Sequence, residues 1–184
     1  MLARLALVGV ALAAAPAAGF ELVSAVAGRN GSTYQLDIEA RFRATPEGLL
    51  AVLTDYARVH ELHPALLESR SLGAVAPDTE EVYTRFEGCV LLFCRTLHRV
   101  ERIRLDGLTL VAEDVPARGS FAEGNTTWRL EPDGDGTRLR YSARFVPAFA
   151  VLPLFGPGVL SRSLERMTLE SMAEADRRAL ARND

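Results

Sequence analysis

The chain contains no lysine, and all 21 of its basic residues are arginine. That excludes a Schiff-base lysine and a phosphate-loop lysine. The common catalytic motifs are missing as well. There is no G-x-S-x-G, no H-E-x-x-H and no glycine-rich phosphate loop, so nothing points to a nucleophile-elbow hydrolase, a zinc protease or a nucleotide site. Histidine is limited to His60, His63 and His98. The first two stand three residues apart with no third ligand in the pattern, and neither a metal nor a cofactor is expected. Charge of one sign is lacking too. The formal net charge is −3 with no basic run, which argues against nucleic acid as a partner. No apolar run reaches the ~20 residues needed to cross a bilayer.

What is present starts with an export pattern. Arg4 precedes an apolar or small stretch from Leu5 to Ala15, and Pro16-Ala17-Ala18-Gly19 supplies a small-residue cleavage site. Charge, short apolar core and small residues together form a secretory signal over residues 1–19, cut after Ala17 or Gly19. An arginine-rich, alanine-rich, lysine-free chain matches a GC-rich bacterial composition, so the periplasm is the expected location of the exported protein. The remaining ~165 residues fit a single domain with a sizeable core.

Cys89 and Cys94 are the only cysteines. Strand-like segments flank them, and a four-residue hairpin loop would set them opposite each other, within disulfide reach. An oxidising compartment allows the bond to persist. A free-thiol pair or half of a metal site is the alternative.

Periodicity gives the architecture. Tyr34, Leu36, Ile38, Ala40 and Phe42 alternate with Gln35, Asp37, Glu39, Arg41 and Arg43, the pattern of a strand with one buried face. Thr45-Pro46-Glu47 then caps a helix to about Asp55, and a second short helix covers about 56–62. Six strands follow, at about 66–74, 80–88, 93–105, 108–115, 119–131 and 137–146. A helix over about 158–181 closes the chain, with Leu160, Leu164, Met167, Ser171 and Ala175 along one face. It would be ~36 Å long, enough to cross a sheet.

The turns set expected registers. Asp106-Gly107 would pair Leu105 with Leu108 and Arg99 with Asp114. The cysteine hairpin would pair Phe86 with Leu97 and Thr84 with Arg99. After Pro132, Leu130 would face Leu139, and Trp128 would face Tyr141. The more apolar face carries Val82, Phe86, Phe93, Leu97, Ile103 and Leu110, and should point inward.

The order strand, two short helices, six strands and long helix is that of the helix-grip fold. Ala44-Thr45-Pro46-Glu47 through Leu53-Thr54-Asp55-Tyr56, then His63-Pro64-Ala65-Leu66-Leu67-Glu68-Ser69, resembles the START-like polyketide cyclase/dehydrase and lipid-transport superfamily. Within it the coenzyme Q-binding branch looks closest. Gly124-x3-Trp128-x-Leu130-x-Pro132 and Gly136-Thr137-x-Leu139-x-Tyr141 are also typical, and are expected to shape turns rather than chemistry. The resemblance implies an α+β domain over residues 20–184, with a curved antiparallel sheet of about seven strands gripping the C-terminal helix around a hollow.

Such a hollow in an exported chain suggests carriage of a hydrophobic small molecule of lipid or quinone type, without catalysis. A cyclase or dehydratase using the same cavity is the second reading. A protein-interaction module with a filled cavity is the third. No catalytic residue is assigned. The expected apolar cavity wall comprises Phe86, Leu97, Leu110, Trp128, Leu160, Leu164 and Met167. The expected polar zone comprises Arg95, Arg99, Glu101, Asp114 and Tyr141, with Arg99–Asp114 a structural ion pair or a headgroup clamp. In an antiparallel meander the cysteine hairpin and the linker before the last helix lie at one end. Val90, Leu91, Leu92, Phe93, Phe149, Leu154 and Phe155 would make an apolar entrance rim there, suited to a transient membrane contact; loops folded inward to plug the barrel end are the alternative. No protein partner is legible.

Overall fold

The alternation of residues 34–43 becomes the strand on which the domain is built. A computed structural model describes residues 20–90, 93–150 and 156–182. The expected signal and the rim residues Leu91, Leu92, Leu154 and Phe155 lie outside them, as do the side chains of Val90 and Phe93. Eight strands run β1 Glu21–Asn30, β2 Thr33–Phe42, β3 Leu66–Ala76, β4 Thr79–Val90, β5 Phe93–Asp106, β6 Thr109–Asp114, β7 Phe121–Asp133 and β8 Gly136–Pro147. Helix α1 is Pro46–Leu53 and helix α2 is Gly156–Ala181, with a 3₁₀ turn at Val59–Leu62. One antiparallel sheet is formed, in the order β1-β2-β8-β7-β6-β5-β4-β3.

Tyr34, Leu36, Ile38, Ala40 and Phe42 are all buried, so the alternation translates directly into an inner face. Thr45 caps α1 by accepting a hydrogen bond from the Gly48 N–H at 3.2 Å, and Pro46 occupies the first turn. Leu49 and Val52 of α1 join Leu36, Ile38, Leu139, Met172, Ala175 and Ala179 in one core. Ala175 and Ala179 are small enough to bring the C-terminal half of α2 close to the sheet. There Asp176, 1 % exposed, accepts hydrogen bonds from the backbone N–H groups of Arg43 (3.1 Å) and Ala44 (2.9 Å). Thr137 Oγ1 donates to the Ala44 carbonyl at 2.7 Å. A side chain at Gly136 would stand 2.2 Å from the Phe42 carbonyl, so glycine is required where β8 begins.

The structure changes three expectations. The sheet has eight strands rather than about seven, because residues 21–30 pair with β2 as an outer edge strand. Asn30 pairs with Thr33 across Gly31, whose φ is +61°. The loop is Gly31-Ser32, with glycine at the first position where the positive φ is needed. The helix expected over 56–62 shrinks to the single 3₁₀ turn, with His63 extended before Pro64 as a residue preceding proline prefers. The β5–β6 turn is Gly107-Leu108 rather than Asp106-Gly107. Asp106 pairs with Thr109, so Leu105 faces Leu110, Ile103 faces Ala112 and Glu101 faces Asp114. A positive φ is needed at the first loop position, and Gly107 takes it at +56°. The shift is two residues, so every side chain keeps its face. The pairs Cys89–Cys94, Phe86–Leu97, Thr84–Arg99, Leu130–Leu139 and Trp128–Tyr141 form as expected. Among the described residues no helix is long and apolar enough to cross a membrane.

Candidate functional site

Toward its N-terminal half α2 stands off the sheet, and a cavity of 590 Å³ lies between them. The wall is mostly aliphatic and aromatic. Phe86, Leu97, Leu110, Trp128, Leu160, Leu164 and Met167 all line it, as the sequence pattern placed them. Leu36, Ala112, Phe121 and Phe145 add to the sheet side, and Leu53, Val59 and Leu62 come from α1 and the 3₁₀ turn. Trp128 and Tyr141 pack edge to face at 4.7 Å between ring centres.

A polar cluster interrupts this wall. Arg99 Nε donates to Asp114 Oδ1 at 2.9 Å and Nη2 donates to Asp114 Oδ2 at 3.0 Å, a bidentate pair. The same Nη2 lies 3.0 Å from Glu101 Oε1. The side chains of Arg99, Glu101 and Asp114 are 19 %, 12 % and 3 % exposed. The Arg99 guanidinium also lies over the Phe121 ring at 5.3 Å. Asp114 is a diagonal neighbour of Arg99 rather than its direct partner, because of the shifted β5–β6 turn. Arg99, Glu101 and Tyr141 line the cavity, whereas Asp114 stands behind Arg99 and holds it in place. Tyr141 shares a hydrogen bond with Thr168 of α2.

Electrostatics assign proton states. Burial works against the Arg99 charge, but Glu101 and Asp114 outweigh it and hold the guanidinium above the usual arginine value. Burial first, and then the Asp114 charge, push Glu101 above the usual carboxylate range, against the pull of Arg99. Burial pushes the phenol of Tyr141 up to about 12. Tyr56, from the loop after α1, also lines the cavity, and burial together with Glu80 and Glu101 pushes it up to about 12. Near neutral pH both phenols are therefore hydrogen-bond donors. Removing Arg99 would strand the buried Asp114 charge at a cost of about 3–5 kcal/mol, whereas removing Asp114 would leave Arg99 with Glu101 alone.

Gly124 makes this cluster possible. A Cβ there would sit 1.8 Å from Asp114 Oδ2 and 3.2 Å from Arg99 Nη2. The sequence pattern assigned this glycine to turn-making. It lies instead inside β7, where its missing side chain makes room for a carboxylate.

The remaining expected site residues disperse. Arg95 is exposed and lies over the Phe149 ring at 4.4 Å; Phe149 lines the cavity and Arg95 does not. Cys89 and Cys94 form a disulfide, and Ser163 Oγ on α2 donates to the Cys89 carbonyl at 3.3 Å. His98 is exposed. His63 accepts the Ala65 N–H on Nδ1 at 2.9 Å. Its proton therefore sits on Nε2, which donates to Glu170 of α2 at 2.8 Å. His60 is held separately by Ser69. Among the described residues the one cluster with metal-ligand types is Glu87 with Cys89 and Cys94, and those two sulfurs are bonded to each other.

Sequence reasoning missed Tyr56, Thr126 and Thr168 as lining groups. Thr168 was within reach, since it falls four residues after Leu164 on the same helix face. Tyr56 sits on an irregular segment with no periodicity to orient it.

The fold recurs in solved structures. A Thermus thermophilus protein matches with a TM-score of 0.67 at 14% identity, covering 82% of this chain and 99% of its own. A Streptomyces aromatase/cyclase matches with a TM-score of 0.62 at 15% identity, covering 83% and 96%. A STAR-related lipid transfer protein from Xanthomonas axonopodis matches with a TM-score of 0.61 at 15% identity, covering 83% and 98%. No curated protein matches the chain by sequence. The family model described as polyketide cyclase / dehydrase and lipid transport matches residues 34–183. With its helix-grip sheet and the cavity beneath α2, this chain belongs to that family.

Proposed function

We propose that the mature chain acts in the periplasm, where it binds and carries a hydrophobic small molecule of lipid or quinone type without transforming it. The observation behind this reading is the 590 Å³ hollow with a largely apolar wall, within the ~300–1,000 Å³ typical of ligand pockets. An interaction module with a filled cavity would have no use for such a space. Export is supported by the pattern of residues 1–19 and by a disulfide suited to an oxidising compartment. Cleavage after Ala17 or Gly19 would leave β1 whole, and would keep Phe20, which stacks on Phe42 at 5.5 Å.

Carriage without chemistry agrees with the proton inventory. Both phenols keep their protons to about 12, Asp114 is bonded to Arg99, and Glu101 is pushed toward its acid form. The cluster offers donors and no ready base. The test is native mass spectrometry of the mature protein, with organic extraction. One hydrophobic molecule per chain is expected. Protein that is empty and also fails to bind the apolar reporter phenylnaphthylamine would reject the reading.

One observation favours a cyclase or dehydratase as the second reading. Arg99, Glu101 and Tyr141 converge on the cavity, and such donors can stabilise an enolate oxyanion. Cyclised product from a linear poly-β-ketone thioester, lost in Glu101→Gln, would replace the carrier reading with this one. Delivery would use a transient membrane contact at the apolar rim, because Phe149 of that rim and Cys89, next in sequence to Val90, line the cavity. Liposome co-sedimentation should fall in the double variant Leu91→Asp with Phe155→Asp; unchanged binding rejects the contact.

A further inference from the structure

The polar cluster also restricts which headgroup the cavity accepts. Arg99 is the cation of the cluster, and its bidentate edge, Nε with Nη2, is filled by Asp114. Its Nη2 is shared with Glu101, and Phe121 lies against its face. A carboxylate or phosphate entering the cavity would find the clamp already occupied by a carboxylate of the protein. The charge count agrees. One guanidinium faces two carboxyl groups, so the cluster is neutral when Glu101 holds its proton and negative when it does not. In neither state is there positive charge left to offset the burial of an anion, a costly step in an apolar wall. Beside the cluster the donors are Tyr141 and Tyr56, both lining the cavity, whereas the cation Arg166 borders it from the exposed side of α2.

We infer that the cavity selects apolar molecules with an uncharged oxygen headgroup, a ketone, quinone or hydroxyl, and rejects fatty-acid and phosphate headgroups. Gly124 and Asp114 set this selectivity without belonging to the cavity wall, because together they keep the Arg99 clamp filled. The inference rests on the carrier reading and sharpens it.

The experiment uses four probes with the same fourteen-carbon skeleton: methyl dodecyl ketone, tetradecanol, tetradecanoate and tetradecyl phosphate. Each displaces phenylnaphthylamine from the mature protein near neutral pH. The ketone and the alcohol should bind at least about tenfold more tightly than either anion. In Asp114→Asn the clamp is freed and the cluster gains one positive charge, so tetradecanoate should gain about tenfold while the ketone changes little. A purely structural role for Asp114 would weaken all four probes alike. Glu101→Gln, which keeps the Arg99–Asp114 pair, should retain the neutral preference and serves if Asp114→Asn does not fold. Anions that bind the wild-type protein as tightly as the ketone overturn the selectivity and leave the carrier reading standing. Loss of that anion binding in Arg166→Gln would put the headgroup at the helix surface. Failure of all four probes, and of the reporter, sinks the carrier reading itself.

Discussion

The two halves of α2 carry the same helical stripe and do different work. In the C-terminal half Met172, Ala175, Asp176 and Ala179 are at most 2 % exposed and pack directly against the sheet and α1. Asp176 bonds two backbone N–H groups, and Arg182 ties the helix end to the Ala51 carbonyl and to Asp55. In the N-terminal half Leu160, Leu164 and Met167 face the cavity. That half is tied to the rest of the domain through Ser163 to Cys89 and Thr168 to Tyr141. A stripe of apolar residues shows that a helix face is covered. Whether protein or an empty volume covers it depends on the size of the facing side chains and on where the helix is anchored.

The contrast can be broken by substitution. Asp114→Ala should destabilise the fold by up to about 3–5 kcal/mol, because it removes the bidentate partner of buried Arg99 and leaves Glu101 alone beside it; urea denaturation checks this. Met172→Ala should cost about 2–5 kcal/mol, the usual penalty for emptying a packed core site. Met167→Ala, on the cavity side, should cost under about 1.5 kcal/mol, since that side chain already borders empty space. Equal costs for the two methionines would erase the distinction between the halves. The Cys89–Cys94 disulfide closes only a short loop, so reducing it should cost at or below about 2 kcal/mol, and the loss should fall on the cavity end. A thermal melt with and without reductant measures it.

The smallest effect is in pH, where two carboxyl groups oppose each other. Hydrogen bonds from Arg178 and then Arg58 lower Glu61, beside the C-terminal half, from 4.5 to about 2. A depressed native value means stability that is present above 4.5 and lost as pH falls toward about 2. Glu101 is raised from 4.5. Its contribution is present below 4.5 and lost as pH rises through the higher native value. Glu61→Gln should therefore be less stable than the wild type above about pH 5, with the gap closing in acid. Glu101→Gln should lose less stability than the wild type as pH rises. Stability curves against pH for the two variants check both signs.

Much of this contrast was legible in the sequence. Period-two alternation fixed the inner face of β2, and the helix stripe fixed which side of α2 is covered. Arg99 and Asp114 were paired from turn arithmetic that was off by two residues, a slip that preserves the face and lets a long arginine reach diagonally. β1 was not legible by alternation because Leu22, Val23 and Val26 leave it without a polar face. Gly124 could not be read as a site residue, since a glycine inside a strand does not reveal which neighbour fills its space. Tyr56 was lost to an irregular loop.

The central claim is that the space under the N-terminal half of α2 is the binding site. Ala112 lines that space and is buried at 6 %, so Ala112→Phe puts a ring into the void. Native mass spectrometry of this variant against the wild type is the most direct measurement. Loss of the bound hydrophobic molecule, with the melting temperature unchanged or higher, is the predicted result. Full ligand occupancy in a folded Ala112→Phe protein would contradict the account.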